Sequence, residues 1–357
     1  MNKQAFLIFS GHNDRAVFAL CRFFSQRKLP FIIAASGTAD LIFQTPWAAH
    51  VTLTRPNKVV DQQLFAQIAQ SSPGIEQLIY CPTTEYINDF ILNHRKYLEG
   101  LGFQFLLPSQ DIYHRLSNKK SSLEFIEKYC ALELPREIPW GQIITPCVFK
   151  PKENISNGEV PYPVLCFSPT DAKNEYSRLN PEHWFAQRYI QGQSHYLCAY
   201  LSRDGHRVAY WQTNLMQQAG GKSIVLAKTG ENPGFDEDIF FQKLTRLQYF
   251  GPLMMEILQD EQGNFFYIEI NPRFWGPLQL AVDAYPEMLD LFAADAGFVQ
   301  PAAMHSTTFK REFWYAWAEG AQKPECHLYP AADALGAAEI QALLTQFDVY
   351  KSERNLV

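Results

Sequence analysis

The sequence predicts an α/β and α+β chain, with a doubly wound α/β domain over residues 1–110 followed by a half built on antiparallel strands. Three observations predict it. Short apolar runs alternate with helical patterns up to residue 110. From residue 184 onward, strand patterns come in pairs joined by polar turns. One such strand lies in FFYIEINPRFWGP, residues 265–277, and carries Glu269 and Asn271 just before Pro272 and Arg273.

The elements follow in order. AFLIFS (5–10) is apolar enough for a buried parallel strand. GHNDR then turns into a helix with Val17, Leu20, Cys21 and Phe24 at helical spacing, capped by Asn13 or Asp14. This turn lacks the G-x-G-x-x-G dinucleotide pattern. It reads as a plain turn or as one lining a cleft at the sheet's carboxyl edge. Pro30 closes the helix, and FIIAAS (31–36) is the second strand. A polar stretch leads to the helix DQQLFAQIAQ, the strand IEQLIYCPT, the helix YINDFILNHRKYLEGLG and the strand FQFLLPS. In the second half, Ser117 or Asn118 caps a helix with Leu123, Ile126 and Cys130 on one face. PCVFKPK (146–152) is a strand ending in lysine, followed by the polar loop ENISNGEV with one glycine, Gly158. WFAQRYIQG is a strand, and HYLCAYLSRDGHRVAYWQT a hairpin turning at Arg203, Asp204 and Gly205. The segment MQQAGGKSIVLAKTG reads as polar and precedes the helix EDIFFQKLTRLQYF and the strands PLMMEILQD and NFFYIEINP. Residues 301–357 read as a closing helical segment or the contact of a homodimer.

Composition narrows the function. With 47% hydrophobic and 19% charged residues and a net charge of −6, the chain has no nucleic-acid footprint. Its longest apolar runs are too short for a membrane span, and no signal segment is legible, so a cytoplasmic protein is expected. The seven cysteines are odd in number and scattered, which predicts reduced thiols. No histidine pair has zinc spacing, and no G-x-S-x-G or Cys/His nucleophile signature appears.

The acidic strands carry the chemistry. Alternation places Glu269 and Asn271 on one face, with Ile268 and Ile270 on the other. If residues 261–264 form the turn, Asp260 pairs with Phe265 and Glu256 faces Glu269. Like charges facing across strands destabilise a sheet unless a cation sits between them or one is protonated. With Asn271 added, three hard oxygen donors gather, a set that suits Mg²⁺.

The order of parts resembles the ATP-grasp superfamily: a small α/β domain, a lysine opening a helix, a strand ending in lysine, a glycine-bearing flap, a linker strand and two acidic strands ending in E-x-N. The stretch EINPRFWG is similar to that of carbamoyl-phosphate-synthase-like members and carboxylate–amine ligases. The resemblance implies domains at 1–110 (α/β), 111–185 (small subdomain and flap), 186–300 (subdomain with the metal site) and 301–357 (helical extension). It implies ATP and Mg²⁺ as cofactors, and a small carboxylic acid and an amine as substrates. Glu256, Glu269 and Asn271 correspond to the Mg²⁺ ligands, and Arg273 to the arginine that steadies the transferring phosphoryl group. Lys150, with Lys152 as alternative, and Lys119, with Lys120 as alternative, correspond to the nucleotide lysines. Gln187, Arg188 and Ile190 match the adenine linker and Ser194 the ribose position, where many members carry an acid. Lys222 and Lys228 can bind a substrate carboxylate. The activity implied is ATP-dependent ligation through an acyl phosphate. A carboxyphosphate enzyme and a non-catalytic nucleotide-binding protein are the alternatives.

Overall fold

A computed structural model describes residues 3–129, 132–153, 162–298, 305–306, 309–322 and 326–351. Cys130 and the loop glycine Gly158 lie outside the described residues.

The first domain runs β1 (Gln4–Phe9), α1 (Asp14–Arg27), β2 (Phe31–Ala35), β3 (Val51–Thr54), α2 (Gln62–Gln70), β4 (Gln77–Tyr80), α3 (Glu85–Gly100) and β5 (Phe103–Phe105). Its five strands form a parallel sheet in the order β3-β2-β1-β4-β5. Alternation along β1 explains the helices on both faces. Phe6 and Ile8 pack on Val17, Leu20 and Phe24 of α1. Leu7 and Phe9 pack on Phe65 and Ile91 of α2 and α3. The strand order reverses between β1 and β4, which opens a crevice at their carboxyl ends. β3 escapes the sequence reading because VTLT is a short edge strand with alternate residues exposed. The expected cap of α1 needs correction. Asn13 stands at the cap position with φ 47° but makes no capping bond. Its Nδ2 instead donates to the carbonyls of Thr83 (3.1 Å) and Phe274 (3.3 Å), tying three loops together.

Two helices follow, α4 (Gln110–Ser117) and α5 (Lys119–Tyr129), where the sequence suggests one. Asn118 caps α5 by accepting from the Lys120 and Ser121 N–H groups. A small antiparallel sheet comes next: β6 (Glu137–Ile138), β7 (Cys147–Pro151), β8 (Val164–Cys166), α6 (Pro169–Arg178) and β9 (Trp184–Arg188), with strand order β6-β9-β7-β8.

The large sheet is built from β10 (Gln193–Leu201), β11 (Arg207–Gln217), β12 (Ile224–Gly230), then α7 (Glu237–Arg246), β13 (Gly251–Gln259) and β14 (Phe265–Asn271). α8 (Gln279–Ala284), α9 (Pro286–Asp295), β15 (His305–Ser306), β16 (Trp314–Ala316), α10 (Ala318–Ala321), β17 (His327–Leu328) and α11 (Ala337–Gln346) complete the chain. Strands run β14-β13-β10-β11-β12-β16, with β15 and β17 also paired to β11. Two expectations are thereby corrected. IVLAKTG, within the segment read as polar, is the interior strand β12, and the closing segment adds strands as well as helices. One face of the large sheet packs on α5 and α7. The other packs on α1, α8 and α9, so the first domain rests on this sheet through α1.

Candidate active site

β13 and β14 set the acids. Glu256 lies directly opposite Glu269, as the sequence predicts, but by a different route. At the turn Gln259 pairs with Phe265, one residue off the expected register. A bulge between Glu256 and Ile257 then takes up Ile268 and restores the facing pair. The bulge also corrects Ile268, which lines the cavity beside Glu269, while Ile270 is in the core.

The two carboxylates are held differently. Glu269 accepts from Lys119 Nζ at Oε2 (2.8 Å) and from Asn271 Nδ2 at Oε1 (2.7 Å). Burial would raise its pKa, but the Lys119 charge and hydrogen bonds hold it well below the usual carboxylate range. Glu256 is buried, accepts from Ser194 Oγ (2.7 Å), and is pushed up by burial and by the charge of Glu269. Two facing acids and a neighbouring amide oxygen form a hard donor set in which a divalent cation would offset the repulsion. The residues therefore fit a Mg²⁺ ion, which Glu256, Glu269 and Asn271 would hold. Among the described residues no cluster of three His, Cys, Asp or Glu side chains offers another metal site.

The lysine alternatives separate by position. Lys119 reaches Glu269 from the first turn of α5, whereas Lys120 pairs with Glu137 away from the site. Lys150, on β7, is buried and donates to the Ile268 carbonyl (3.3 Å). Burial and the charge of Lys119 bring its pKa down to about 8. Lys152 instead donates to the Pro181 carbonyl (2.8 Å). Arg273 lies 3.4 Å from Glu85, the first residue of α3, and donates to the Phe274 carbonyl.

These side chains line two chambers. The first, about 390 Å³, lies between the small and large sheets and has apolar walls at Val148, Leu165, Leu258 and Ile268. Lys119, Lys150, Gln187, Arg188, Ile190, Glu256 and Glu269 line it. Gln187 is buried and donates from Nε2 to the Pro135 carbonyl (3.1 Å), leaving Oε1 without a partner among the described residues. Arg188 stands exposed at the rim. Ser194 does not line this chamber: fully buried, it is committed to Glu256, which corrects its assignment to a ribose.

The second chamber, about 510 Å³, opens at the crevice between β1 and β4. Asn271 and Arg273 line it together with His12, Asp14, Lys58 and Glu85 from the first domain. Burial and the charges of Arg55 and Lys58 bring the His12 pKa down to about 4, so its ring is neutral at pH 7. Lys222 lines this chamber, but Lys228 does not and pairs with Glu312 (2.7 Å) instead. The two chambers meet at Lys119 and Glu269, which line both.

Two contributions escape the sequence reading. Glu85 is an ordinary first-turn acid of α3, and nothing in its spacing announces Arg273 as its partner. Cys326, His327 and Tyr329 bring the closing segment into the first chamber beside Gln217 and Gln218.

No protein-family model matches the chain, and no curated protein matches it. Solved structures do. The biotin carboxylase domain of Hydrogenobacter thermophilus 2-oxoglutarate carboxylase, solved with MgADP, ADP and bicarbonate, has a TM-score of 0.65 at 11% identity, covering 87% of this chain and 74% of that one. Biotin carboxylase from Campylobacter jejuni, solved with an ATP complex, has a TM-score of 0.60 at 12% identity, covering 84% and 72%. N5-carboxyaminoimidazole ribonucleotide synthetase from Thermus thermophilus has a TM-score of 0.59 at 15% identity, covering 84% and 80%. At these identities the likeness is one of fold.

Proposed function

We propose that this chain, which has the ATP-grasp fold, is an ATP-dependent ligase that activates a carboxylate as an acyl phosphate and joins it to an amine or thiol, releasing ADP and phosphate. The observation that carries this reading is the shared wall: Lys119 and Glu269 line both chambers, so a nucleotide in one and an acid in the other would meet there.

The first chamber suits the nucleotide. Its apolar walls take the base, and the unpartnered Gln187 Oε1 can accept from an adenine amino group. Arg188 and Ile190 frame the base at the rim. Lys150 and Lys119 supply positive charge to the phosphates, where positioned cations do most of the catalytic work. Mg²⁺, when bound to Glu256, Glu269 and Asn271, neutralises phosphate charge. In the second chamber, Arg273 orients the acid and steadies the transferring group, with Glu85 fixing its guanidinium. The carboxylate oxygen bonds to the γ-phosphorus as the bond to ADP breaks. The amine then attacks the acyl carbon, and phosphate leaves with the carboxylate's former oxygen. No protein nucleophile is required.

Bicarbonate in the Hydrogenobacter structure favours a second reading, in which carboxyphosphate is the activated species. The size of the second chamber favours the first, because about 510 Å³ lies in the range of sites for organic molecules rather than a four-heavy-atom ion. ADP release with Mg²⁺–ATP tests both. Release that requires an organic acid together with an amine or thiol supports the ligase. Release with bicarbonate that no organic acid increases supports carboxyphosphate chemistry.

A further inference from the structure

Ser194 is one link in a line of buried neutral groups on the large sheet. Ser194 Oγ donates to Glu256 Oε1 (2.7 Å), Asn214 Nδ2 donates to Ser194 Oγ (2.7 Å), and Gln212 Nε2 donates to Asn214 Oδ1 (2.6 Å). Ser194, Asn214 and Gln212 are each 0% exposed and Glu256 is 6% exposed. Every bond in the line points its hydrogen toward Glu256. That direction is imposed by the carboxylate. Were the Asn214 amide turned round, its oxygen would claim the Ser194 hydrogen, and Glu256 would lose its donor. The far end shows the same polarity, because Gln212 Oε1 has no partner among the described residues. Tyr329 of the closing segment donates its hydroxyl hydrogen to Gln217 Oε1 on the same strand as Gln212 and Asn214.

The two acids thus have different supports. Glu269 has a lysine beside it, whereas the hydrogen bond to Glu256 comes from a neutral hydroxyl. We propose that Ser194 and Asn214 are positioning residues for the metal: the hydrogen-bonded line holds Glu256 Oε1 in place so that Oε2 is left for Mg²⁺. This rests on the reading of Glu256 as a metal ligand. Partners behind a ligand usually set metal affinity about 10–100-fold, whatever the affinity of the rest of the site.

The test is calorimetric titration of the full chain with a non-hydrolysable ATP analogue at increasing Mg²⁺. Variants are Ser194→Cys, which keeps the shape but donates weakly, Asn214→Leu, which ends the line, and Ser194→Thr, which keeps the hydroxyl. Ser194→Cys and Asn214→Leu are expected to raise the Mg²⁺ concentration for half-maximal tightening about tenfold. Affinity without Mg²⁺ should stay within about twofold, and Ser194→Thr should follow wild type. The proposal is overturned if the Cys and Leu variants overlay wild type, or if affinity without Mg²⁺ falls as far as affinity with it. Absence of any Mg²⁺ effect in wild type would instead overturn the metal reading on which the proposal stands.

Discussion

Lys119 and Lys150 differ in what their removal leaves behind. Lys119→Met strands Glu269, a largely buried carboxylate opposite another, and breaking such a pair costs about 3 kcal/mol. Lys150 bonds to a backbone carbonyl, so Lys150→Met leaves no acid unpaired by it. Denaturant melts should therefore show Lys119→Met clearly destabilised and Lys150→Met near wild type, while both bind the ATP analogue at least about tenfold more weakly. A second prediction concerns His195, buried with neither ring nitrogen partnered among the described residues. Burial lowers its pKa from 6.5 to about 4. The unfolded chain then takes up a proton near pH 6.5 that the folded chain refuses until near pH 4. The stability this group contributes is full above pH 6.5 and is lost as pH falls toward 4. By pH 5.5 the loss is about 1.4 kcal/mol, measurable as a difference in pH slope between wild type and His195→Leu. Much at this scale was legible. Glu256 facing Glu269, and Asn271 beside them, followed from alternation and one turn length. Ser194 was misplaced because sequence spacing shows that a residue is near the site but not which way its strand turns it.

At the scale of elements, the bulge at Ile268 decides whether β14 presents an acid or an isoleucine to the site. Deleting Ile268 would remove the bulge and let the turn's register run unbroken to Glu256, with Glu269 still opposite it. The deletion variant should keep its circular-dichroism spectrum and the Mg²⁺-dependent part of nucleotide binding. Loss of the Mg²⁺ dependence with the spectrum unchanged would mean that the facing of the two acids is not what makes the metal site. Gly192 is constrained at the start of β10, where an added Cβ would meet the Gln259 carbonyl oxygen at 2.3 Å. The helices and buried parallel strands of the first domain were readable from periodicity. Among the strands missed, β3 is too short and exposed to stand out, and the polar GGKS lead-in hid β12. The bulge itself has no sequence signature, and the facing acids were reached from a register that is one residue off at the turn.

For the whole molecule, one core joins parts far apart in the chain. α1, the large sheet, α9 and the late residues Tyr315, Tyr329, Val349 and Tyr350 share a single apolar cluster. Arg15 adds a polar clasp. It stacks over Trp317 at 4.3 Å and donates to the Ile224 carbonyl and the Ser223 hydroxyl. Unfolding should accordingly be one cooperative transition, coincident by tryptophan fluorescence and circular dichroism, rather than two separated steps. The last fifty residues were the least legible part of the sequence. Their strands are two or three residues long and owe their pairing to partners set by the rest of the sheet.

The central claim is that Glu256, Glu269 and Asn271 hold Mg²⁺ against a nucleotide in the chamber above them. Calorimetry of a non-hydrolysable ATP analogue, with and without Mg²⁺, on wild type and on Glu269→Ala tests it most directly. The account predicts binding to wild type that Mg²⁺ tightens, and no Mg²⁺ effect in the variant. Wild type that binds no analogue, or a variant that keeps the full Mg²⁺ effect, would contradict it.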